Sequence, residues 1–597
     1  MNLDYYQRPF YLISQPIVGE ILKQPHAKRK SFWSLVPEKE YNYIQSKQLI
    51  ETYYSSILKE IKKIVSSKSR MYWLHLSRRV LPSTSGKNKS PITIGVTRKI
   101  IDGAIEKYAK DEFCDCVGIT GDIDISEIFE GLLLSDDFEY ERELLKRLPR
   151  QLVLTKFNQN SMLEYYTLEK LAYEVWKCGA TLRALGKGAI IKVVHSDDDY
   201  FIELRTPELT FLIDNYDNRN FSFITSRKGV VLENQDDLNS GKLLVPVYNV
   251  SNHKMDFFNP IFKQFEIPLS FGVGMISNFM PILYPLRGFY SNNKPLSTAF
   301  YKKYKVELIS IITVVTAISY RIFHKLFLEK EVGMIKPLFL RAYQGPILNS
   351  EILEELEYYK NYAFLNLDLT EEEKKRVNIL DGYNFLKLKD REVIDLLFTA
   401  PLKLFIPVSK DRVVIDYSKI SQILDDLMFQ VRINNENFKG DLFEFVTNKT
   451  KSILPTKLCK SFDNSTKQID YAIAVNNILI ICECKLKENS IGYYKGNLKS
   501  ILQRRENVIE KSITEVKEKA IWLSQNPKGR NYDISEFKYI LPIGLSAFKE
   551  FTPSTNKKYW ISETIPRVLT IEEFNKIIDD KSISVKNYNL IEIKNAS

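Results

Sequence analysis

Cysteine is scarce, six in 597 residues, too few to staple a chain of this length. That excludes a secreted disulfide framework and points to a reducing, cytoplasmic setting. The two close pairs, Cys114 with Cys116 and Cys482 with Cys484, have no second pair and no histidine cluster beside them, so no zinc site is expected there. The first residues, MNLDYYQRPF, lack a basic-then-apolar leader. Long apolar runs are missing too. The most apolar stretch, Leu308 to Tyr320, is bounded by Glu307 and Arg321 and falls short of the ~20 residues that span a bilayer. It reads as a buried core helix, and no membrane partner is expected. A P-loop is absent: Gly186-Lys187 has Thr181 where the first glycine belongs and Gly188 in place of Ser or Thr, so no ATP-driven motor is evident and a separate ATPase partner is left open. The chain has no internal repeat and no long disordered linker.

What is present starts with charge. A formal net charge of +11 and a pI near 8.9 suit a polyanionic partner. The length predicts several domains and a multidomain α+β fold. Residues 1–188 read as mainly helical, with amphipathic helices over Lys47 to Ser66 and Leu163 to Leu185. Residues 189–300 read as β-hairpins and loops: Ile190 to Val194 with Tyr200 to Leu204, Leu209 to Ile213 with Phe221 to Thr225, then a Pro- and Gly-rich connector over Met255 to Phe300. Residues 301–433 read as helical with one hairpin, Leu402 to Pro407 with Arg412 to Asp416. Residues 434–597 form the last domain.

Its central stretch is QIDYAIAVNNILIICECKL, residues 468–486. Two apolar extended runs meet at Asn476-Asn477, a dipeptide that tolerates positive φ and suits a two-residue hairpin turn. Counting outward sets Val475 against Ile478 and Asp470 against Glu483, with Lys485 on the face of Glu483. The strands are apolar on both faces and read as central strands of a covered sheet. Two carboxylates there imply a bound cation, and oxygen ligands suit magnesium or manganese. Removing either carboxylate should relieve repulsion in the metal-free protein.

In these residues the chain resembles the PD-(D/E)XK nuclease superfamily, the restriction-endonuclease-like fold. Gly440 to Glu444 resembles its Glu-bearing helix, Asp470 its motif Asp, and Glu483-Cys484-Lys485 its E-x-K, over roughly the last quarter of the chain. Gln468-Ile469 precedes Asp470 where the family name has Pro. The resemblance implies an α/β domain with a mixed sheet flanked by helices. It also implies a metal-dependent nuclease in which Asp470, Glu483 and the Cys484 backbone carbonyl hold Mg2+ or Mn2+, Glu444 assists, and Lys485 handles the attacking water. After Lys485 a long helix with the stripe Leu498, Leu502, Ile509, Ile513, Val516, Ala520 and Leu523 is expected, with Lys487, Gln503 and Arg504 as candidate phosphate contacts. Phe537 to Phe548 reads as a strand, and Thr570 with Glu573 as a capping box.

The expected substrate is nucleic acid, DNA ahead of RNA, selected or sensed by the chain before residue 434, in a setting similar to prokaryotic anti-phage defence or restriction. The residues leave open a mobile-element or repair nuclease, a ligand-activated RNase and a non-catalytic nucleic-acid-binding scaffold. A protein partner or a homo-oligomer is also left open.

Overall fold

The computed structural model describes residues 29–79, 91–110, 159–196, 200–225, 243–248, 279–331, 342–387, 395–397, 403–420, 452–460 and 466–594, with 263, 266 and 423; positions 285, 408–410, 486, 488, 547 and 580–588 are excepted. Glu444 and the Cys114–Cys116 pair lie outside the described residues. Helix and sheet are mixed, and most of the sheets are small and antiparallel. The chain divides into two compact units: residues 1–37, 48–179 and 227–428, and residues 38–47, 180–226 and 429–597.

The first unit is built around the helix Leu308–Phe323, every residue of which except Tyr320 is buried. The helix continues as a π turn through Leu328, which makes the apolar run 21 residues long. By length it can therefore cross a bilayer, contrary to the sequence reading, but 78% of its most apolar window is buried inside the protein. Helices Asn349–Leu367 and Ile379–Lys387 cover it. Its one buried charge, Arg321, is satisfied by Glu355, Gln344 at 2.6 Å and the Tyr417 hydroxyl at 3.0 Å. The expected hairpin is present as Phe405–Pro407 against Arg412–Asp416. Residues 279–284 and 286–300, expected to be loop, form a strand and a run of short helices. The strand pairs with Leu243–Tyr248 and sets Pro281 opposite Pro246. A two-stranded ribbon tolerates such prolines because each strand has an outer edge that needs no N–H.

The second unit contains a small antiparallel sheet of β1 (Glu40–Tyr41), β2 (Ile190–Val193) and β3 (Phe201–Leu204). Next comes α1 (Pro207–Thr225), a single helix where a hairpin was expected over Leu209 to Thr225. The Thr206 hydroxyl accepts from the Leu209 N–H at 3.2 Å, Pro207 opens the helix, and Leu209, Leu212, Ile213 and Tyr216 recur at helical spacing. Polar Asp214 to Asn220 is thus a stretch of helix rather than a turn.

A two-stranded ribbon of β4 (Lys457–Cys459) and β5 (Thr466–Gln468) precedes the main sheet. That sheet has the order β6 (Tyr471–Val475), β7 (Ile478–Lys485), β8 (Tyr539–Ser546), with β9 (Val568–Leu569) and β10 (Ile591–Glu592) sharing the far side of β8. β6 and β7 are antiparallel, while β7 and β8 are parallel, joined through a helical run α2 over 498–525. β7 and β8 are central and almost wholly buried; β6 ends the strand order and exposes Ala474, so only one arm of the hairpin is a central strand. α3 (Ile571–Asp579) follows β9, opened by the reciprocal Thr570 and Glu573 bonds at 2.9 and 3.3 Å. One face of the sheet packs Ile480, Cys482, Ile543 and Leu545 against Ile571, Phe574 and Ile577 of α3. The other packs Leu479, Ile481 and Ile540 against Val516, Ala520 and Leu523 of α2.

Residues 180–226 belong to this core. Ala184, Leu212 and Ile213 share a cluster with Ile509, Ile513, Phe551 and Trp560, and Arg219 forks onto Glu573 at 2.8 and 3.0 Å. Residues 434–597 expressed alone should therefore expose that apolar face. We expect aggregation, or dye binding and a shallower denaturant transition, than for the full chain, read by light scattering and urea melts.

Candidate active site

Asn476 has φ 54, which forms the tight turn, and the ladder from Val475↔Ile478 to Tyr471↔Cys482 follows the expected register. Counted one step further, Asp470 would stand across from Glu483. The long first strand breaks just there. Gln468 ends β5, Tyr471 begins β6, and the Ile469 N–H turns to the Thr456 carbonyl. Asp470 thus sits where the chain passes from the ribbon to the main sheet, with one carboxylate oxygen accepting from the Cys484 N–H at 2.9 Å.

Glu483 lies on the face covered by α2, 5% exposed. One of its oxygens accepts from the Lys485 ammonium at 2.7 Å and the other from Lys519 of α2. Lys485 also bonds Glu515 of α2, which reaches the exposed Lys511 at 3.9 Å. Cys482 points to the opposite face and packs against the α3 cluster with Cys484. Burial is the largest influence on Glu483 and raises its pKa above the ordinary 4.5; the Asp470 charge adds to this, and the two lysines oppose without reversing it. For Lys485 burial works against the ammonium, but the bonds to Glu483 and Glu515 outweigh it and raise the pKa. Burial likewise works against the Glu515 carboxylate, and its bond to Lys485 outweighs it, holding the pKa low.

α2 can come this close because β8 carries Gly544 beside Glu483. A Cβ there would meet the Ser512 hydroxyl at 2.3 Å. The helix also changes phase along its length, through a π turn over Arg505–Glu510. The expected stripe holds from Ile509 to Leu523, but Leu498 and Leu502 are 38% and 41% exposed, and Arg504 takes their place inside. One extra residue in the turn rotates the preceding segment by about 100°.

Compared with protein-family models, curated proteins and solved structures, the chain matches none.

The remaining candidates fall as follows. Lys487 is exposed, with its carbonyl accepting from Arg504, and Gln503 is exposed. Arg504 is buried, its guanidinium held by Glu550 at 3.0 Å and by the Ser546 hydroxyl at 3.3 Å, so its charge is satisfied inside the fold. Glu515 and Lys519 were not anticipated. They border the α2 stripe at i and i+4, a spacing that reads as an ordinary surface ion pair until Glu483 is known to lie beneath it. For a metal the oxygen donors are Asp470, Glu483 and the Cys484 carbonyl. This set suits a hard cation that keeps several waters, and one Asp470 oxygen makes no hydrogen bond among the described residues. Among those residues no third His, Cys, Asp or Glu completes a cluster.

The pH dependence has a definite sign. Between pH 4.5 and its raised value the folded Glu483 keeps a proton that the unfolded chain has released, so this group lowers stability as pH rises through that window and levels off above it. Asp470→Asn should narrow the window, seen as a smaller fall in the urea midpoint across it. Glu483→Ala strips two ammoniums of their partner and should cost stability at pH 7, against the relief expected from sequence alone. Gly544→Val should cost about 1–3 kcal/mol by levering α2 off the sheet, measured by denaturant melts.

Proposed function

We propose that the chain is a metal-dependent phosphodiester nuclease with a carboxy-terminal PD-(D/E)XK-type domain, acting on DNA, and that the preceding residues select or restrain the target. The observation that supports it most is the meeting of Asp470, Glu483 and Lys485 at one end of the β6–β7 hairpin, with a carboxylate 5% exposed in an apolar sheet. Carboxylates are retained in such places at a cost that structure alone does not require.

Asp470, Glu483 and the Cys484 carbonyl would hold magnesium or manganese, with Glu444 as a further donor. When bound, the ion polarises a phosphoryl oxygen and lowers the pKa of its water. Lys485 orients the attacking water and offsets the charge that grows on the phosphate. Lys519, bonded to the other Glu483 oxygen, favours the ionised form of the carboxylate that would hold the ion. Genome defence in a prokaryotic cytoplasm remains the setting favoured by analogy.

A second reading, a nucleic-acid-binding scaffold, is favoured by the ammonium on each Glu483 oxygen. Cleavage separates the two. Full-length protein incubated with plasmid, linear single- and double-stranded DNA and RNA should cut DNA with magnesium or manganese and not with chelator. Asp470→Ala, Glu483→Ala and Lys485→Ala should each lower the rate about 100-fold or more. No cleavage of any substrate rejects the nuclease and leaves the scaffold; undiminished cleavage by all three variants rejects Asp470, Glu483 and Lys485 as the site.

A further inference from the structure

The helix Asn349–Leu367 of the first unit is apolar on two sides. Its inner side, Ile352, Leu356, Tyr359, Ala363 and Leu367, packs into the core. On its outer side Tyr358, Tyr362 and Leu365 are 58%, 37% and 74% exposed. They stand at i, i+4 and i+7 and so form one stripe along the helix. The rings are already fixed. Tyr362 stacks on Tyr320 with ring centres 4.7 Å and planes 14° apart, and Tyr358 meets Tyr359 edge-on at 4.9 Å. Rings held in this way lose little freedom when another surface covers them. At Leu365 the stripe opens into a groove of about 480 Å³ lined by Asn361, Phe364, Leu365, Glu371, Lys374 and Lys375.

Charge changes sign along the same line. Before Tyr358 the stripe continues through the exposed Glu354 and Glu351, four and seven residues back. At the other end Glu371 of the groove is taken by Lys374 at 2.6 Å, which leaves the exposed Lys375. Among the described residues Glu351, Glu354 and Lys375 make no ion pair, whereas Glu357 and Lys360, to one side of the stripe, satisfy each other. A stripe that is acidic at one end, aromatic in the middle and basic at the other is complementary to itself turned end for end.

We propose that this stripe is the contact between two copies of the chain, paired antiparallel across a two-fold axis near Asn361 and Tyr362. Leu365 lies on one side of that axis and Tyr358 on the other, each about 5 Å along the helix. Each Tyr358 ring then meets Leu365 and the groove of the second copy, and each Glu354 comes to Lys375 of the second copy. A stripe of this length gives a modest contact, with a dissociation constant roughly in the micromolar range. Nucleic acid does not suit this surface, because two carboxylates lead the stripe. The pairing stands apart from the reading of Glu483 as catalytic, since association is measured without cleavage.

The test is sedimentation of the full-length protein from about 1 to 100 µM, at low and at physiological salt. The wild type should form a dimer that weakens as salt rises. Tyr358→Asp and Leu365→Asp should each weaken it about 10-fold or more, and because both side chains are exposed the melting temperature of the monomer should not change. Glu354→Lys and Lys375→Glu should each weaken the dimer, and the double variant should bind itself more tightly than either, since the swap rebuilds the pair across the axis. A wild type that is still monomeric at about 100 µM overturns the proposal. A dimer that both aspartate variants leave intact overturns it as well, by putting the interface elsewhere. A double variant no tighter than the single ones removes the antiparallel register, and the proposal with it.

Discussion

A carboxylate placed in the middle of a covered sheet must find compensation, and the second unit is arranged around how Glu483 finds it. β7 is apolar through Cys482 and becomes charged only where it emerges at Glu483 and Lys485. The compensation comes from above, from Lys519 on a helix that the bare backbone of Gly544 lets settle on the sheet. It also comes from alongside, from Lys485, itself tied to Glu515. Strand register, helix height and helix phase must all be right for these groups to meet. An error in any of them leaves a buried charge without a partner, which costs more than most single packing defects.

Much of this was legible locally. The Asn476-Asn477 turn and the two-residue period of a strand determine which side chains share a face, so the Tyr471 to Cys482 register and the common face of Glu483 and Lys485 follow by counting. The Thr570 to Glu573 box and the hairpins over 190–204 and 405–416 are of the same local kind. What escaped was set by distant packing. Glu515 and Lys519 look like any solvated i,i+4 pair until α2 is laid on β7. The helix Pro207–Thr225 was lost to a polar middle that resembles a turn, although the Thr206 cap and the spacing of its apolar residues were in view. Pairing of Glu40–Tyr41 with β2 joins residues too far apart in the chain for any local pattern to announce.

The second unit is also discontinuous in sequence, drawing on residues 38–47 and 180–226 as well as the end of the chain. The connection that leaves β7 carries Tyr493 and Tyr494 on the path from Lys485 to α2. The buried pair of Arg504 and Glu550 anchors that path at the close of β8, through the Ser546 hydroxyl.

The π turn at Arg505–Glu510 gives the helix two timings. Upstream, Arg504 keeps time with Glu550 and Ser546 at the close of β8; downstream, Ile509 to Leu523 keep time with the sheet, and Lys519 with them. A uniform α-helix could satisfy one beat and not the other, because rows of side chains a residue out of step face different neighbours. The irregular turn works as a gear change: it lets a single rigid rod serve two surfaces that demand different rotations, at the cost of a few poorly aligned backbone bonds.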